Sequence, residues 1–255
     1  MEDFENSSNI TSKTSFPHQK LQIDEWVEVR KVSWEDGFQG SWFSGTVVRC
    51  GKLKRHVRYD NIVNHDFDKL GYLVEKVSVS SVLDGVFGSS SKRGVIRPPP
   101  PSVEFDKCDL KYGMCVDVNS MAAWWEGVVY DHCDGMEERS VFFPDSGDEK
   151  KVRIKDIRIT QDWDEVTDKW ERRGKWLFLE LIEECERESY LPVSVKQIWY
   201  DVRKKKEFST IGEWTLNVKK DLWRQMIMEA VGDYFAITVK EVSSALKLPE
   251  LRMVK

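Results

Sequence analysis

The chain has 255 residues, 40% of them hydrophobic and 33% charged, with a net charge of −5 at pH 7. That length leaves room for two or three small domains with buried cores, and no apolar run approaches the length of a membrane span. The acidic balance disfavours a dedicated duplex binder, which draws its affinity from neutralising phosphates, and suits a basic partner.

Residues 1–23 are polar and rich in Ser and Thr, with no signal-peptide stretch; they are expected to be a disordered tail on a soluble intracellular protein. From 24 to 101 short alternating runs are divided by turns. Trp26–Lys31 places Val27 and Val29 on one face, and a Gly-rich break follows at 35–40. Strands are expected at 42–49 and 56–60 around a basic turn at 50–55, then at 74–82. Val57 and Tyr59 share a face. A flexible insertion at 89–94 and the proline run Pro98–Pro101 close this first small barrel.

Residues 105–160 repeat the plan, with strands at 114–118, 124–130, 139–143 and 151–159. Ser41–Val48 aligns with Ala123–Val129, and His56–Asp60 with Val141–Asp145, so one module of roughly 60–80 residues occurs twice. From about 165 to 255 the apolar period becomes helical. Phe178, Leu181, Ile182 and Cys185 form one stripe, and Val195, Ile198, Trp199 and Val202 a second. Val218, Leu222, Met226 and Ala230 form a third, and Val239, Val242 and Leu246 a fourth before Pro249. Ser194 with Gln197, and Thr238 with Glu241, read as capping boxes opening two of these helices. The expected architecture is β plus α: two tandem small β-barrels, 24–101 and 105–160, followed by a mainly helical region, 165–255.

Five cysteines (Cys50, Cys108, Cys115, Cys133, Cys185) contain no CxxC pair, which argues against a disulfide framework and a zinc module. Four histidines (His18, His56, His65, His132) include none in a nucleophile turn, and no phosphate loop occurs. The expectation is a binding protein without metal, cofactor or catalytic residues. Tryptophan is over-represented, with 11 residues including Trp34, Trp42, Trp124 and Trp125, and exposed aromatics often mark binding sites.

The two barrels resemble agenet domains, the plant branch of the Tudor or Royal superfamily. The first carries Trp26-Val27-Glu28-Val29, Gly37-Phe38-Gln39-Gly40-Ser41-Trp42-Phe43, Tyr59-Asp60 and Ile96-Arg97-Pro98-Pro99-Pro100. The second carries Val116-Asp117-Val118, Trp124-Trp125-Glu126-Gly127-Val128, Val141-Phe142-Phe143-Pro144-Asp145 and Ile157-Arg158. The segment from Ile159 to Glu183 is similar to the region after the agenet pair in plant PHD-finger chromatin regulators. The finger's Cys/His spacing does not occur here.

That resemblance implies a nuclear chromatin reader that traps a methylated lysine of a histone tail, H3 first, in an aromatic cage. Methylammonium is weakly hydrated and is attracted to ring faces, and a nearby carboxylate adds Coulomb attraction. The candidate cage residues are Trp124, Trp125 and Phe143 with Asp145 and Asp148 in the second barrel. In the first they are Phe38, Trp42, Phe43 and Tyr59 with Asp60. Adjacent strand residues face opposite ways, so one of each aromatic pair is expected in a core. Other chromatin proteins are possible partners of the helical region. The alternatives are a DNA- or RNA-binding regulator using the basic 52–55 turn, or a scaffold acting through the helices; Arg203–Lys206 offers a nuclear-import cluster.

Overall fold

The computed structural model describes residues 19–32, 37–64, 71–86, 93–188, 191–216 and 219–245. Trp34, His18, His65, Val218, Leu246, Pro249 and most of the 1–23 tail and of the 89–94 insertion lie outside them. The chain divides into two compact units. The first takes in the chain up to Lys31, 42–101 and 163–171; the second takes in 32–41, 102–162 and 172–255. Among the described residues no helix is long and apolar enough to cross a membrane.

The first unit is built on β1 (Trp26–Arg30), β2 (Ser41–Gly51), β3 (Lys54–Asn64), β4 (Gly71–Ser78) and β5 (Ile96–Arg97). β2 pairs antiparallel with β1 and β3, β3 with β4, and β1 with β5. Alternation sends Val27, Val29, Val47, Val57, Tyr59, Val77 and Ile96 inward, all buried. Leu83, from a 3-10 turn at Ser81–Asp84, joins them. The expected strand at 74–82 is therefore corrected to 71–78, with Val82 in that turn. Residues 19–23 are also ordered: the buried Arg55 donates to the carbonyls of Lys20, Leu21 and Leu83 and to Asp84, which ties the incoming chain down.

The second unit holds β6 (Cys115–Ser120), β7 (Ala123–Val129), β8 (Glu138–Phe143), β9 (Asp148–Arg153) and β10 (Ile157–Ile159), in the antiparallel order β10-β6-β7-β8-β9. Its barrel core is Leu110, Val116, Val118, Val129, Val141, Phe143, Ile157 and Ile159. The alternate residues Cys115, Val128 and Phe142 point to the other side. There they join the core of α1 (Leu177–Glu188), α2 (Val195–Lys204), α3 (Phe208–Ile211) and α4 (Lys220–Ala245). Four of the tryptophans, Trp176, Trp199, Trp214 and Trp223, are packed edge-to-face or stacked in that core. Much of the tryptophan excess therefore belongs to helix packing.

Two helix expectations need correction. Residues 161–172 form a hairpin, β11 (Gln161–Asp164) with β12 (Lys169–Arg172), before the first helix. Thr238 opens no helix: it lies inside α4 and donates to the Tyr234 carbonyl one turn back, the back-bonding open to Thr within a helix. Ser194 does cap α2, accepting from the Gln197 amide.

Register makes the internal repeat explicit. Val27 faces Gly45 and Val47 faces Val57 in the first barrel. Val116 faces Gly127 and Val129 faces Val141 in the second. Val57 thus corresponds to Val141 and Tyr59 to Phe143, which shifts the expected alignment of His56–Asp60 by one residue. Glycine is required at both equivalent points. A Cβ on Gly45 would lie 2.6 Å from the Arg58 carbonyl oxygen, and one on Gly127 2.5 Å from the Val141 side chain.

Candidate functional site

Each barrel uses one expected cage tryptophan to cover its own arginine. Arg97 donates through Nε and Nη2 to Glu28, at 3.0 and 2.8 Å, and its guanidinium carbon lies 3.7 Å from the centre of the Trp42 ring. Arg158 donates to Asp117 at 3.0 Å and lies 4.1 Å from the centre of the Trp124 ring. The register pairs Glu28 with Arg97 and Asp117 with Arg158. A ring face covered by an internal guanidinium is unavailable to a ligand cation, so Trp42 and Trp124 are structural residues. Asp60 faces outward, away from Tyr59, and accepts from the exposed Trp26 indole at 3.2 Å.

Phe43 and Tyr59 do meet, with ring centroids 6.2 Å apart in an edge arrangement. The slot beside them already holds a cation. Lys31 Nζ lies 5.0 Å from the centre of the Tyr59 ring and 2.5 Å from Glu75, and the Tyr59 hydroxyl donates to the same carboxylate. Burial would raise the Glu75 pKa, but the hydrogen bonds from Lys31 and Tyr59 outweigh it and hold the carboxyl below its ordinary value. Burial and that bond push the Tyr59 phenol far up. The first barrel thus contains an ammonium, a ring and a carboxylate in contact, all supplied by its own chain.

In the second barrel the place of Lys31 is taken by Ser120, since Val29 corresponds to Val118. Ser120 is too short to cross the slot, and an open groove of about 720 Å³ results, lined among others by Ser120, Met121, Trp125, Phe143 and Asp148. Trp125 is fixed by its indole N–H, which donates to the Ser120 carbonyl at 2.9 Å. Phe38 packs on the Trp125 ring with centroids 6.0 Å apart. Phe143 sits opposite Asp148 in the β8–β9 register, and it is only 7% exposed because most of the ring belongs to the barrel core. Glu138 and Asp156 add carboxylates to the walls; Lys150, Lys151 and Arg153 add cations.

Asp145 is not in this groove. It accepts from the buried Trp214 indole at 2.8 Å, and Gly40 approaches it so closely that a Cβ there would lie 2.2 Å from the carboxylate. The neighbouring Pro144 carbonyl accepts from Trp199 and Arg203, and the Gly147 carbonyl from Tyr200. The Phe-Phe-Pro-Asp turn therefore divides its labour: Phe143 serves the groove, while Pro144 and Asp145 dock the helices.

The structure thus brings Phe38, Trp125, Phe143 and Asp148 to one place and Phe43 with Tyr59 to another. Sequence reasoning missed Lys31, Glu75 and Ser120. An alignment in the correct register shows Lys31 against Ser120 and Glu75 against Lys150, and that exchange was the available signal. Among the described residues no cluster of His, Cys, Asp and Glu has metal-binding geometry.

Comparison with known proteins finds similarity at three levels. The Agenet domain family model matches residues 24–101. Two proteins of Arabidopsis thaliana are similar in sequence. DUF724 domain-containing protein 6 is 31% identical over 111 residues, 42% of this chain and 14% of that protein. Protein AGENET DOMAIN (AGD)-CONTAINING P1 is 27% identical over 173 residues, 66% of this chain and 29% of that protein. The chain therefore spans less than a third of either relative. The crystal structure of Arabidopsis thaliana AGDP1 AGD34 is 28% identical with a TM-score of 0.45, covering 60% of this chain and 89% of that one.

Proposed function

We propose that this chain, whose residues 24–101 match the Agenet domain family model, is a chromatin reader of the agenet, Tudor-like kind, and that its second barrel reads a methylated lysine on a basic histone tail, with H3 as the tail to test. The observation that carries this reading is the groove left by Ser120 beside Trp125 and Phe143. The first barrel shows the chemistry in place, because Lys31 already sits against Tyr59 and Glu75. Among the described residues no cation of the chain lies over the Trp125 or Phe143 ring; Lys150 and Lys151 stand in the walls. A methylated ammonium loses little hydration on entering and gains roughly 0.5–2 kcal/mol per ring contact, while Asp148 at the rim supplies Coulomb attraction. Acids and bases alternate along the groove, so selectivity comes from the rings and from Asp148 rather than from net charge. A reader of this kind works in the nucleus, and the family is one of binding domains.

The test is calorimetric titration of the full chain with H3 peptides differing only in lysine methylation. The methylated peptide should bind at least about tenfold tighter, or ~1.4 kcal/mol. Trp125→Ala should abolish the difference while costing about 2 kcal/mol of stability, because the ring is half-buried against the barrel core, and Asp148→Asn should weaken binding and reduce its salt dependence. Equal affinity for methylated and unmethylated peptides would refute methyl reading.

A further inference from the structure

The outward faces of the two barrels differ at equivalent positions. In the second unit Cys115, Val128 and Phe142 are apolar and buried against the helices. Their counterparts in the first unit are Trp26, Thr46 and Arg58, and the surrounding face is open and basic. Its residues lie in rows across three strands: Thr46–Arg58–Val74, then Arg49–His56–Lys76, then Gly51–Lys54–Ser78. Arg49, Lys54, Arg58 and Lys76 are all exposed, and Lys52 stands on the adjoining turn. These rows contain no acidic residue. Among the described residues, the side chains of Arg49, Lys54, Arg58 and Lys76 make no ion pair or hydrogen bond. Such a cluster is conspicuous on a chain whose net charge is −5.

We propose that the outward face of β2, β3 and β4 binds the phosphate backbone of duplex DNA. Arg49 and Lys76 flank His56 at about 10 Å across the strands, and Arg58 and Lys54 stand about 13 Å apart along β3, which presents a spread of charges rather than a single pocket. A surface made for single strands would carry aromatic platforms for unstacked bases. Here the exposed aromatics stand at the margins: Trp26 beside Thr46, with its indole N–H held by Asp60, and Tyr72 at the far edge of the sheet; neither lies among the cations. Backbone contacts of this kind hold a duplex without reading its sequence. Contact with 3–4 phosphates predicts a slope of about −3 in log affinity against log salt, hence roughly 40- to 150-fold weaker binding at 200 mM than at 50 mM. This face is separate from the groove of the second barrel, so the inference stands or falls independently of methyl-lysine reading.

The experiment is fluorescence anisotropy of a labelled 20-base-pair duplex, and of one of its single strands, titrated with the full chain across that salt range. The triple variant Arg49→Glu, Arg58→Glu, Lys76→Glu should lose at least tenfold in duplex affinity and most of the salt slope. The neutral triple Arg49→Gln, Arg58→Gln, Lys76→Gln should lose binding less steeply, and it keeps the test valid if the reversed variant does not fold. A control triple with the same charge change, placed away from both sites at the exposed Lys155→Glu, Lys206→Glu, Lys240→Glu, should retain duplex binding. Equal loss in the control would overturn the assignment to this face. Tighter binding of the single strand, or undiminished binding in the first triple, would overturn the proposal. Titration of the same variants with methylated H3 peptide separates a failure here from a failure of the groove.

Discussion

The first and second barrels share a frame and differ in what they leave open. Both hold an acid–arginine pair beneath a tryptophan, a glycine that lets β2 or β7 pass close to the next strand, and a buried arginine that anchors the entering chain. In the first barrel that anchor is Arg55 on Leu21; in the second it is Arg139 on Leu110. On this common frame the aromatic slot is filled by Lys31 in one and left open by Ser120 in the other. The outward sheet face is cationic in one and covered by helices in the other. Duplication thus preserved the residues that hold the barrel and released those facing the slot and the outside.

The largest test of that equivalence concerns the tryptophans. Trp42 is 1% exposed, so Trp42→Ala should cost about 3–5 kcal/mol in urea denaturation, the usual cost of truncating a buried large aromatic. Trp124 is half-buried and its arginine partly hydrated, at 21% exposure, so Trp124→Ala should cost about half as much. Equal losses would mean that the two stacks bear the same load. The glycines come next. Gly45→Ala and Gly127→Ala should each cost about 1–3 kcal/mol. Gly45→Ala should cost more, because its Cβ meets the Arg58 carbonyl oxygen whereas that of Gly127 first meets a valine methyl that can turn.

The slot itself is sharpened by exchanging its deciding residues. Ser120→Lys should place an ammonium in the second groove and weaken methylated-peptide binding at least tenfold, about 1.4 kcal/mol, with little change in stability. Lys31→Ser should open the first slot and add a second binding event in calorimetry. It should cost less than about 1 kcal/mol of stability, since the Lys31–Glu75 pair is partly solvated. If Ser120→Lys binds peptide as before, the groove is not the site.

Much of the frame was legible in the sequence because it rests on alternation. Val27 and Val29, and Val57 and Tyr59, follow the period of a strand, and the helical stripes from Phe178 onward follow that of a helix. The hairpin at 161–172 was not legible: its residues are polar and charged, and no apolar alternation marks them. The aromatic residues were visible as candidates, but their roles were not. Trp42 and Trp125 look alike in sequence, and only tertiary contacts with Arg97 and Ser120 separate them. Asp145 was misplaced for a related reason. Its partner Trp214 is 69 residues away, beyond what local spacing reports.

The smallest expected effect is a pH dependence shared by the two anchors. Asp84 beside Arg55 feels burial, which alone would raise its pKa, but the Leu53 amide and the arginine bind the carboxylate and bring it below its ordinary value. Asp131 beside Arg139 is the same case: burial opposes, and the amides of Ser140 and Cys133 with the arginine prevail, again bringing the carboxyl below its ordinary value. A carboxyl whose folded pKa is depressed stabilises the fold above its unfolded pKa and loses that contribution as pH falls through the folded value. Stability should therefore be flat from neutral pH to about 5 and decline below about pH 4. Asp84→Asn and Asp131→Asn should each cost about 1 kcal/mol at pH 7, and each deficit should shrink as the wild-type carboxyl is protonated below pH 4. Chemical denaturation of the three proteins at pH 7, 5 and 3 measures this directly. A deficit that persists unchanged at pH 3 would mean that the anchors hold by shape and neutral hydrogen bonds. A deficit in one variant alone would mean that the two barrels, alike in register, do not share the electrostatics of their anchors.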